Sequence, residues 1–485
     1  MAKVIKVSPV TRLEGHLAIE VVADTVNGRM EVVDAKSSCF MFRGFEKILS
    51  GRDPRDAVHY TQRVCGVCPV SHGMASSLAL EDAFGLAPTL NGRVIRNLVL
   101  GSNFIQSHVL HFYHLAAPDY VDVGKALPLS PWSPAHSGSD LVGGDLASTL
   151  VAHYVKALDI RRKAHRMGAI FGGRLPAASS FVPGGATQVV RQSDVTAFAK
   201  LLDEIRAFVD GVYIPDVLAV SDLFPDYSEI GRGCGNLLAY GVFDLNEAGS
   251  SKLLRRGRYT GGRMQGVDQA EIREHVRHSY YRDAGTNRTP SSGVTDPQPE
   301  KDGAYSWIKA PRYGGSVHEV GPLARMWVNG DYRVGISVMD RLAARALETR
   351  VVGDAMKSWL GELQPGAPVC NEGAAPSSAE GIGLTEAPRG ALGHWVQISN
   401  RRLGNYQMVT PTGWNASPRD DAGKLGALEQ ALVGTPVKDV NNPLEALRVV
   451  HSFDPCLACS VHMVRPDEGV AARESRPRIW TGSPF

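Results

Sequence analysis

Four cysteines stand in two Cys-x-x-Cys pairs, Cys65 and Cys68 in "QRVCGVCPVSH" and Cys456 and Cys459 in "DPCLACSVH". Two intervening residues bend the chain back on itself at a turn or helix end and bring both sulfurs within reach of one metal ion. A single pair would serve equally well as a redox dithiol. Two pairs make a four-sulfur site possible, and tetrahedral sulfur sites usually hold zinc or an iron–sulfur cluster. Structural zinc pairs, however, commonly sit tens of residues apart and staple a small domain. Here almost the whole chain separates the pairs, and 485 residues bury enough surface to need no staple. The separation suggests a metal buried where the two ends of the chain meet. On these residues alone a structural zinc site stays open beside it.

The other cysteines, Cys39, Cys234 and Cys370, are scattered singly and read as small buried hydrophobes. Seven cysteines in 485 residues are too few for a disulfide framework. Hydrophobic content of 43% and charged content of 21% are those of a soluble globular protein. The 52 basic and 50 acidic residues are interspersed, with a net charge of +2 and no basic run, which argues against nucleic acid as a partner. No apolar run reaches the roughly eighteen residues of a membrane span, and "MAKVIKVSPV" lacks the hydrophobic core of a signal peptide. The chain is therefore expected to start as a cytosolic product, carried by something else if it ends elsewhere.

The elements that must position the thiols are mostly helices. Residues 4–34 alternate polar and apolar, with Asn27-Gly28 as a hairpin turn, and predict an antiparallel start. From about residue 41 the period becomes helical, with a helix start at Asp53-Pro54. A helix with Asn91 as its cap is predicted from 91 to a stop near Pro118, and others over 148–170, 193–212 and 338–363. Short strands and turns are expected between 222 and 330, then a Gly/Pro/Ala-rich loop over 364–383 and a strand in "RGALGHWVQISN". No repeat recurs. The expected fold is mainly α with small β-sheets (α+β): a long-helix bundle, sheets at its margins, and the metal site buried where N- and C-terminal segments meet.

Six segments together carry a resemblance that spans nearly the whole chain: "TRLEGH" (11–16), "FRGFEKIL" (42–49), "RVCGVCPVSH" (63–72), "HFYHL" (111–115), "EAPRGALGHW" (386–395) and "DPCLACSVH" (454–462). The sequence resembles the large, catalytic subunit of nickel-iron hydrogenases, and "LGSNFIQSHVLHFYHL" with "YSWIKAPRY" looks like the membrane-associated uptake branch. The resemblance implies that Cys65, Cys68, Cys456 and Cys459 bind nickel, and that Cys68 and Cys459 also bridge to an iron carrying carbon monoxide and cyanide. Soft, electron-rich thiolates suit such a pair of metals. Splitting hydrogen heterolytically gives a hydride and a proton, so a base and a relay are needed. Cys459 is expected to take the first proton and Glu14, the family's relay, the next; without the resemblance Glu14-Gly15 would read as a solvated turn. Arg389 is implied to hang over the open face of the metals, with Pro388 fixing the backbone before it and Asp454 as its ion-pair partner. A guanidinium does not readily give up a proton, so positioning hydrogen is its expected task. His72 is expected to donate to a bridging cysteine sulfur. Glu46, His462 and the carbonyl of Met408 match the positions that hold a magnesium or ferrous ion, with Gln407 near its waters.

Departures are as specific as matches. Ser107 stands where many relatives have an aspartate, which lowers the negative charge expected around Arg389, and Pro176-Ala177-Ala178 replaces a histidine-bearing stretch that touches the partner subunit. His108, His111 and His114 recur at helical spacing, and packing with hydrogen bonding on one helix face is the expected use. No cysteines remain for an electron relay, so an iron-sulfur small subunit is the implied partner. It would pass electrons to a membrane cytochrome or other acceptor. In the uptake branch that subunit carries the export signal, which implies a periplasmic, membrane-associated enzyme, with a cytoplasmic one as alternative. Residues 1–462 are expected to form one domain. The polar, Pro/Arg-rich segment 463–485 is implied to be an extension removed by a maturation endopeptidase after nickel-insertion proteins have acted. A hydrogen-sensing regulatory hydrogenase, a cytosolic cofactor-reducing one and, from another class, a structural zinc protein are the rival readings.

Overall fold

The computed structural model describes residues 2–122, 138 and 140–460, with Cys459 and Ser460 described by backbone only. Strands β1 (Lys3–Val7), β2 (Leu17–Val26) and β3 (Arg29–Cys39) form an antiparallel sheet. Asn27 (φ 49°) and Gly28 (φ 79°) make the two-residue turn whose left-handed conformation that sequence predicts. The alternating pattern runs on to Cys39, five residues past the expected boundary, because β3 stays paired with the buried start of β2.

A short helix, α1 (Phe45–Leu49), follows, and Asp53 caps the next turn by accepting from the Arg55 N–H at 3.0 Å. Helix α2 (Pro69–Phe84) begins directly after Cys68, with Pro69 in its first turn, where a missing N–H costs nothing. Helix α3 (Leu90–Leu110) is capped by Thr89, whose hydroxyl accepts from the Gly92 N–H at 3.1 Å. Asn91 is therefore not the cap; its amide instead donates to the Gln364 carbonyl at 2.8 Å. Beyond Leu110 the helix widens into a π-helical turn (His111–Ala116) and stops at the turn containing Pro118, as predicted. Helices α4 (Gly144–Gly172), α5 (Gln192–Phe208), α6 (Ile214–Leu223), α7 (Pro322–Asn329) and α8 (Val338–Leu360) complete the bundle, α4 and α8 packing on α3. Short antiparallel strand pairs occupy the mixed region between α6 and α7.

The last sheet is not marginal. Strands β4 (Ser378–Ala387), β5 (Gly390–Ser399) and β6 (Arg402–Val409) form a meander pressed against α2, and β5 is buried on both faces for most of its length. The contact is possible because β4 carries Gly381 and Gly383: a Cβ there would lie 2.1 Å from the Ala79 carbonyl oxygen and 2.0 Å from that of Ala75. Alternation predicted the strand β5 but not this burial. Helices α9 (Leu444–Ser452) and α10 (Leu457–Ser460) bring the chain back to the segment that joins β1 to β2. The architecture is the expected α+β class, and no helix of the described residues is long and apolar enough to cross a membrane.

A buried clip joins three remote segments. Asp119, fully buried at the end of the α3 extension, pairs with Arg12 near the N-terminus and accepts from His451 Nδ1 of α9 at 2.5 Å, while His451 Nε2 faces the Thr11 carbonyl at 2.9 Å. Burial alone would raise the Asp119 pKa, but His451 and Arg12 outweigh it and hold the carboxyl below its ordinary range. The depressed value means that its stabilisation is present above the unfolded-state pKa of about 4 and is lost as pH falls toward the folded value. Asp119→Asn removes the negative charge that Arg12 and His451 share and is expected to destabilise the protein by about 3 kcal/mol. A thermal melt should show a lower midpoint at neutral pH, the gap to wild type narrowing in acid.

Candidate metal centre

Three of the four motif thiols converge. Cys65, in the turn before α2, Cys68, which caps α2, and Cys456, at the start of α10, are buried, and their sulfurs all lie within 4.8 Å of one another. Cys65 Sγ is 3.2 Å from Cys456 Sγ and accepts from the N–H groups of Val67 and Cys68, each at 3.3 Å. The bend predicted for Cys-x-x-Cys is thus this sulfur-capped turn. Cys459 lies in α10, but its side chain is outside the described residues, as is all of His462. Closely grouped, buried sulfurs are a donor set that fits a soft transition metal.

Glu14 is set against the cluster by backbone pairing. Its residue bridges Cys456 in parallel, the Leu457 N–H donating to the Glu14 carbonyl at 2.7 Å. Gly15 follows at φ 86°, where a Cβ would lie 2.7 Å from Leu457 Cβ and 2.8 Å from the Ala458 nitrogen, so only glycine lets the two segments close. Glu14 Oε2 is 3.2 Å from Cys456 Sγ and accepts from the Ala458 N–H at 3.0 Å. Burial first, and negative charge at Cys65 second, raise its pKa above the ordinary carboxyl value against the opposing pull of these hydrogen bonds. The sulfur described beside Glu14 is that of Cys456; the side chain of Cys459, the expected first proton acceptor, lies outside the described residues.

Arg389 lies close enough to the cluster to feel the charge of all three described sulfurs. It occupies the two-residue turn between β4 and β5 and is almost wholly buried. Its Nη2 donates to Asp454 Oδ1 at 2.9 Å and its Nε to the Asp454 carbonyl at 3.0 Å. Asp454 sits at φ 52°, which aims its carbonyl and carboxylate at the same guanidinium. Burial alone would lower the Arg389 pKa; Asp454 first, then Cys456, Cys68 and Cys65, raise it well above its usual value, so the group stays charged. Ser107, on α3, accepts from Arg389 Nη1 at 3.4 Å through its hydroxyl oxygen, a weak contact where a carboxylate would have made an ion pair. Pro388 precedes Arg389 in the turn.

His72 is held by its ring nitrogen Nδ1, which pairs with His394 Nε2 at 3.2 Å, while His394 in turn pairs with Tyr406; its buried Nε2 has no hydrogen-bond partner among the described residues, and the Cys459 sulfur lies outside them. Burial lowers the His72 pKa to about 4, so the ring is neutral. The helical histidines do pack as predicted: His108 donates to Glu348 at 2.8 Å, His111 to the His451 carbonyl at 2.6 Å, and His114 lies edge-on to Tyr154.

Glu46, on α1, lines a cavity of about 30 Å³ with Glu274, Tyr281, Lys309 and Met408. Glu46 Oε1 accepts from the Met408 N–H at 2.9 Å and its other oxygen from Thr295, while Lys309 bridges Glu274 at 3.2 Å and Gln407 at 3.1 Å. Glu46 and Met408 thus line this small polar chamber, with Gln407 beside it on Lys309. Glu274 and Lys309 were missed, since nothing local in "IREHV" or "SWIKAP" marks a pair that meets only through the fold.

Comparison with known proteins agrees with this arrangement. A family model described as nickel-dependent hydrogenase matches residues 43–143, 141–335 and 328–462. The chain is 42% identical over 499 residues to the periplasmic [NiFeSe] hydrogenase large subunit of Desulfomicrobium baculatum, covering 96% of both chains. It is 34% identical to the uptake hydrogenase large subunit of Rhizobium leguminosarum bv. viciae, covering 97% of both. The solved Ni-Fe-Se hydrogenase of D. vulgaris Hildenborough in its reduced state superposes with a TM-score of 0.91 at 42% identity, over 95% of this chain and 100% of that one. Selenium in these names belongs to those proteins; the sequence here has cysteine at all four motif positions. Three converging thiols, an apposed acid and a fixed arginine, in a chain matched nearly end to end, place this protein in the nickel-dependent hydrogenase family as a large subunit.

Proposed function

We infer that H2 is cleaved heterolytically in the space bounded by Cys65, Cys68, Cys456, Glu14 and Arg389, and that the two electrons leave through an iron-sulfur small subunit. The observation that carries this reading is a buried carboxyl 3.2 Å from one sulfur of the thiol cluster together with a buried guanidinium, fixed by Asp454, close enough to feel the charge of all three described sulfurs. A nickel-iron centre held by Cys65, Cys68, Cys456 and Cys459 supplies a soft, two-electron redox site when bound, and its iron's carbon monoxide and cyanide follow from the family resemblance. Around it the chain's own groups do ordinary work. The Cys456 sulfur takes a proton, and Glu14 Oε2, 3.2 Å away and buried enough to be protonated readily, takes it onward. Arg389 stays charged, polarises H2 and excludes water, with Asp454 fixing its direction.

A structural zinc role is not favoured, because the nickel-dependent family model covers the chain from residue 43 to 462. Large subunits of this family pair with a small subunit. The remaining cysteines, Cys39, Cys234 and Cys370, are scattered singly in the sequence, which supports an electron relay outside this chain. The periplasmic relative supports a periplasmic enzyme brought there by its partner and passing electrons to a membrane cytochrome or other acceptor; cell fractionation finding the chain only in cytosol would overturn that placement. Glu46, the Met408 carbonyl and His462 are proposed to hold Mg2+ or Fe2+. Residues 463–485 are proposed to be removed by a maturation endopeptidase once nickel-insertion proteins have loaded the site, a reading supported by the family match ending at His462.

Metal analysis, intact mass and H2-dependent dye reduction on the copurified complex test the reading together. Equal nickel and iron, turnover of H2 and a chain ending at His462 are expected; zinc alone without turnover would overturn the function, and an active full-length chain would overturn the processing. Glu14→Gln, which keeps the shape but cannot relay, is expected to cut dye reduction on the order of a hundredfold with nickel content unchanged.

A further inference from the structure

The turn carrying Arg389 is itself gripped by a second buried arginine. Residues Ala387 and Gly390 close the β4–β5 ladder, so Pro388 and Arg389 are the two turn residues. Hairpin turns usually leave their carbonyls to water; this one is buried, so each carbonyl needs a partner from the protein. Arg325, on α7 and fully buried, serves the two that precede Arg389: Nη1 donates to the Ala387 carbonyl and Nη2 to the Pro388 carbonyl, each at 2.9 Å.

The rest of its guanidinium is equally committed. Nε donates to Glu348 Oε1 at 2.6 Å, Nη2 to Glu348 Oε2 at 2.7 Å and Nη1 to Glu386 Oε2 at 2.8 Å. A guanidinium has five N–H bonds, and all are used. Phe104 of α3 lies under it, 5.1 Å from the ring centroid. Both carboxylates are held from elsewhere, Glu348 by His108 Nε2 at 2.8 Å and Glu386 by the Tyr240 N–H at 2.6 Å. The turn is also jammed against the approach to α7, since a Cβ on Gly390 would lie 2.5 Å from Val320 Cγ2 and 2.7 Å from the Gly321 nitrogen.

We propose that Arg325 is a positioning residue for the reaction: a saturated guanidinium, neutralised by Glu348 and Glu386, that fixes the two peptide carbonyls preceding Arg389 and thereby its reach over the thiol cluster. The inference rests on the reading of Arg389 given above. A lysine would offer three donors from one point and could not span two carboxylates and two carbonyls. Displacements near 1 Å at a reacting centre cost up to about a hundredfold in rate.

The test compares Arg325→Lys with Arg389→Lys in the copurified, matured complex, by nickel content, kcat, KM for H2 and crystal structure. Arg325→Lys is expected to keep its nickel and a KM within about twofold of wild type, to lose about tenfold or more in kcat, and to show the Arg389 guanidinium displaced from Asp454. Wild-type kcat with Arg389 in place, alongside a slow Arg389→Lys enzyme, would overturn the proposal. An Arg389→Lys enzyme as fast as wild type would instead sink the reading of the site, and the proposal with it. Should Arg325→Lys yield no matured complex, Glu348→Gln keeps the volume but sets an amide N–H against donors of Arg325 or His108. The same fall in kcat, by about threefold or more, and the same displacement are expected; neither appearing would overturn the proposal.

Discussion

Cys456→Ser is expected to abolish H2 turnover and to leave a chain without nickel. Three contributions meet at this sulfur. It lies 3.2 Å from Cys65 Sγ and 3.2 Å from Glu14 Oε2, and its backbone is fixed from both sides, by the Glu14 bridge and by donation from the Cys456 N–H to Thr412 Oγ1 at 3.0 Å. A serine hydroxyl would fit the space, but it is a hard donor that stays protonated at neutral pH, so the site loses a soft anionic ligand with little change in shape. Removing even an outer partner of a metal site costs about 10–100-fold in affinity, and a direct ligand should cost more. Nickel analysis on the purified complex would check this, with Cys234→Ser, remote from the cluster, as the control that keeps its metal. One equivalent of nickel in the Cys456→Ser chain would refute the assignment of this thiol.

Arg389→Lys is the second large effect, expected at about a hundredfold in kcat with nickel retained. The guanidinium reaches three groups along different directions, the Asp454 carbonyl, the Asp454 carboxylate and the Ser107 hydroxyl. An ammonium keeps the charge but not the fork. Because Asp454 and the thiols hold Arg389 charged far above neutrality, the lost rate should be the same across the working pH range. A rate deficit that closes as pH changes would show instead that Arg389 itself exchanges a proton during turnover.

The parts legible in the sequence were those with a local signature. Asn27-Gly28 announced its hairpin, Pro118 its helix stop, and the spacing of Cys65 and Cys68 a sulfur-capped turn. The site residues Cys456, Glu14, Arg389 and Asp454 came from motifs whose meaning lay in resemblance rather than in local physics. What stayed hidden depends on pairs far apart in sequence. Thr89 rather than Asn91 caps α3 because Asn91 is drawn to the Gln364 carbonyl, and His72 turns to His394 because β5 lies beside α2. Arg325 reads as an ordinary helix residue in "PLARMWVN" until β4 and β5 bring two carbonyls to it.

The parallel bridge between Glu14 and Cys456 also sets a timetable. Glu14, Cys65 and Cys68 leave the ribosome early, while Cys456 emerges only after nearly the whole chain has been made. At translation rates of about 5–20 residues per second, the first two thiols wait for tens of seconds as an incomplete, oxidisable pair. A site that needs Cys456 can therefore be completed only after nearly the whole chain has been made.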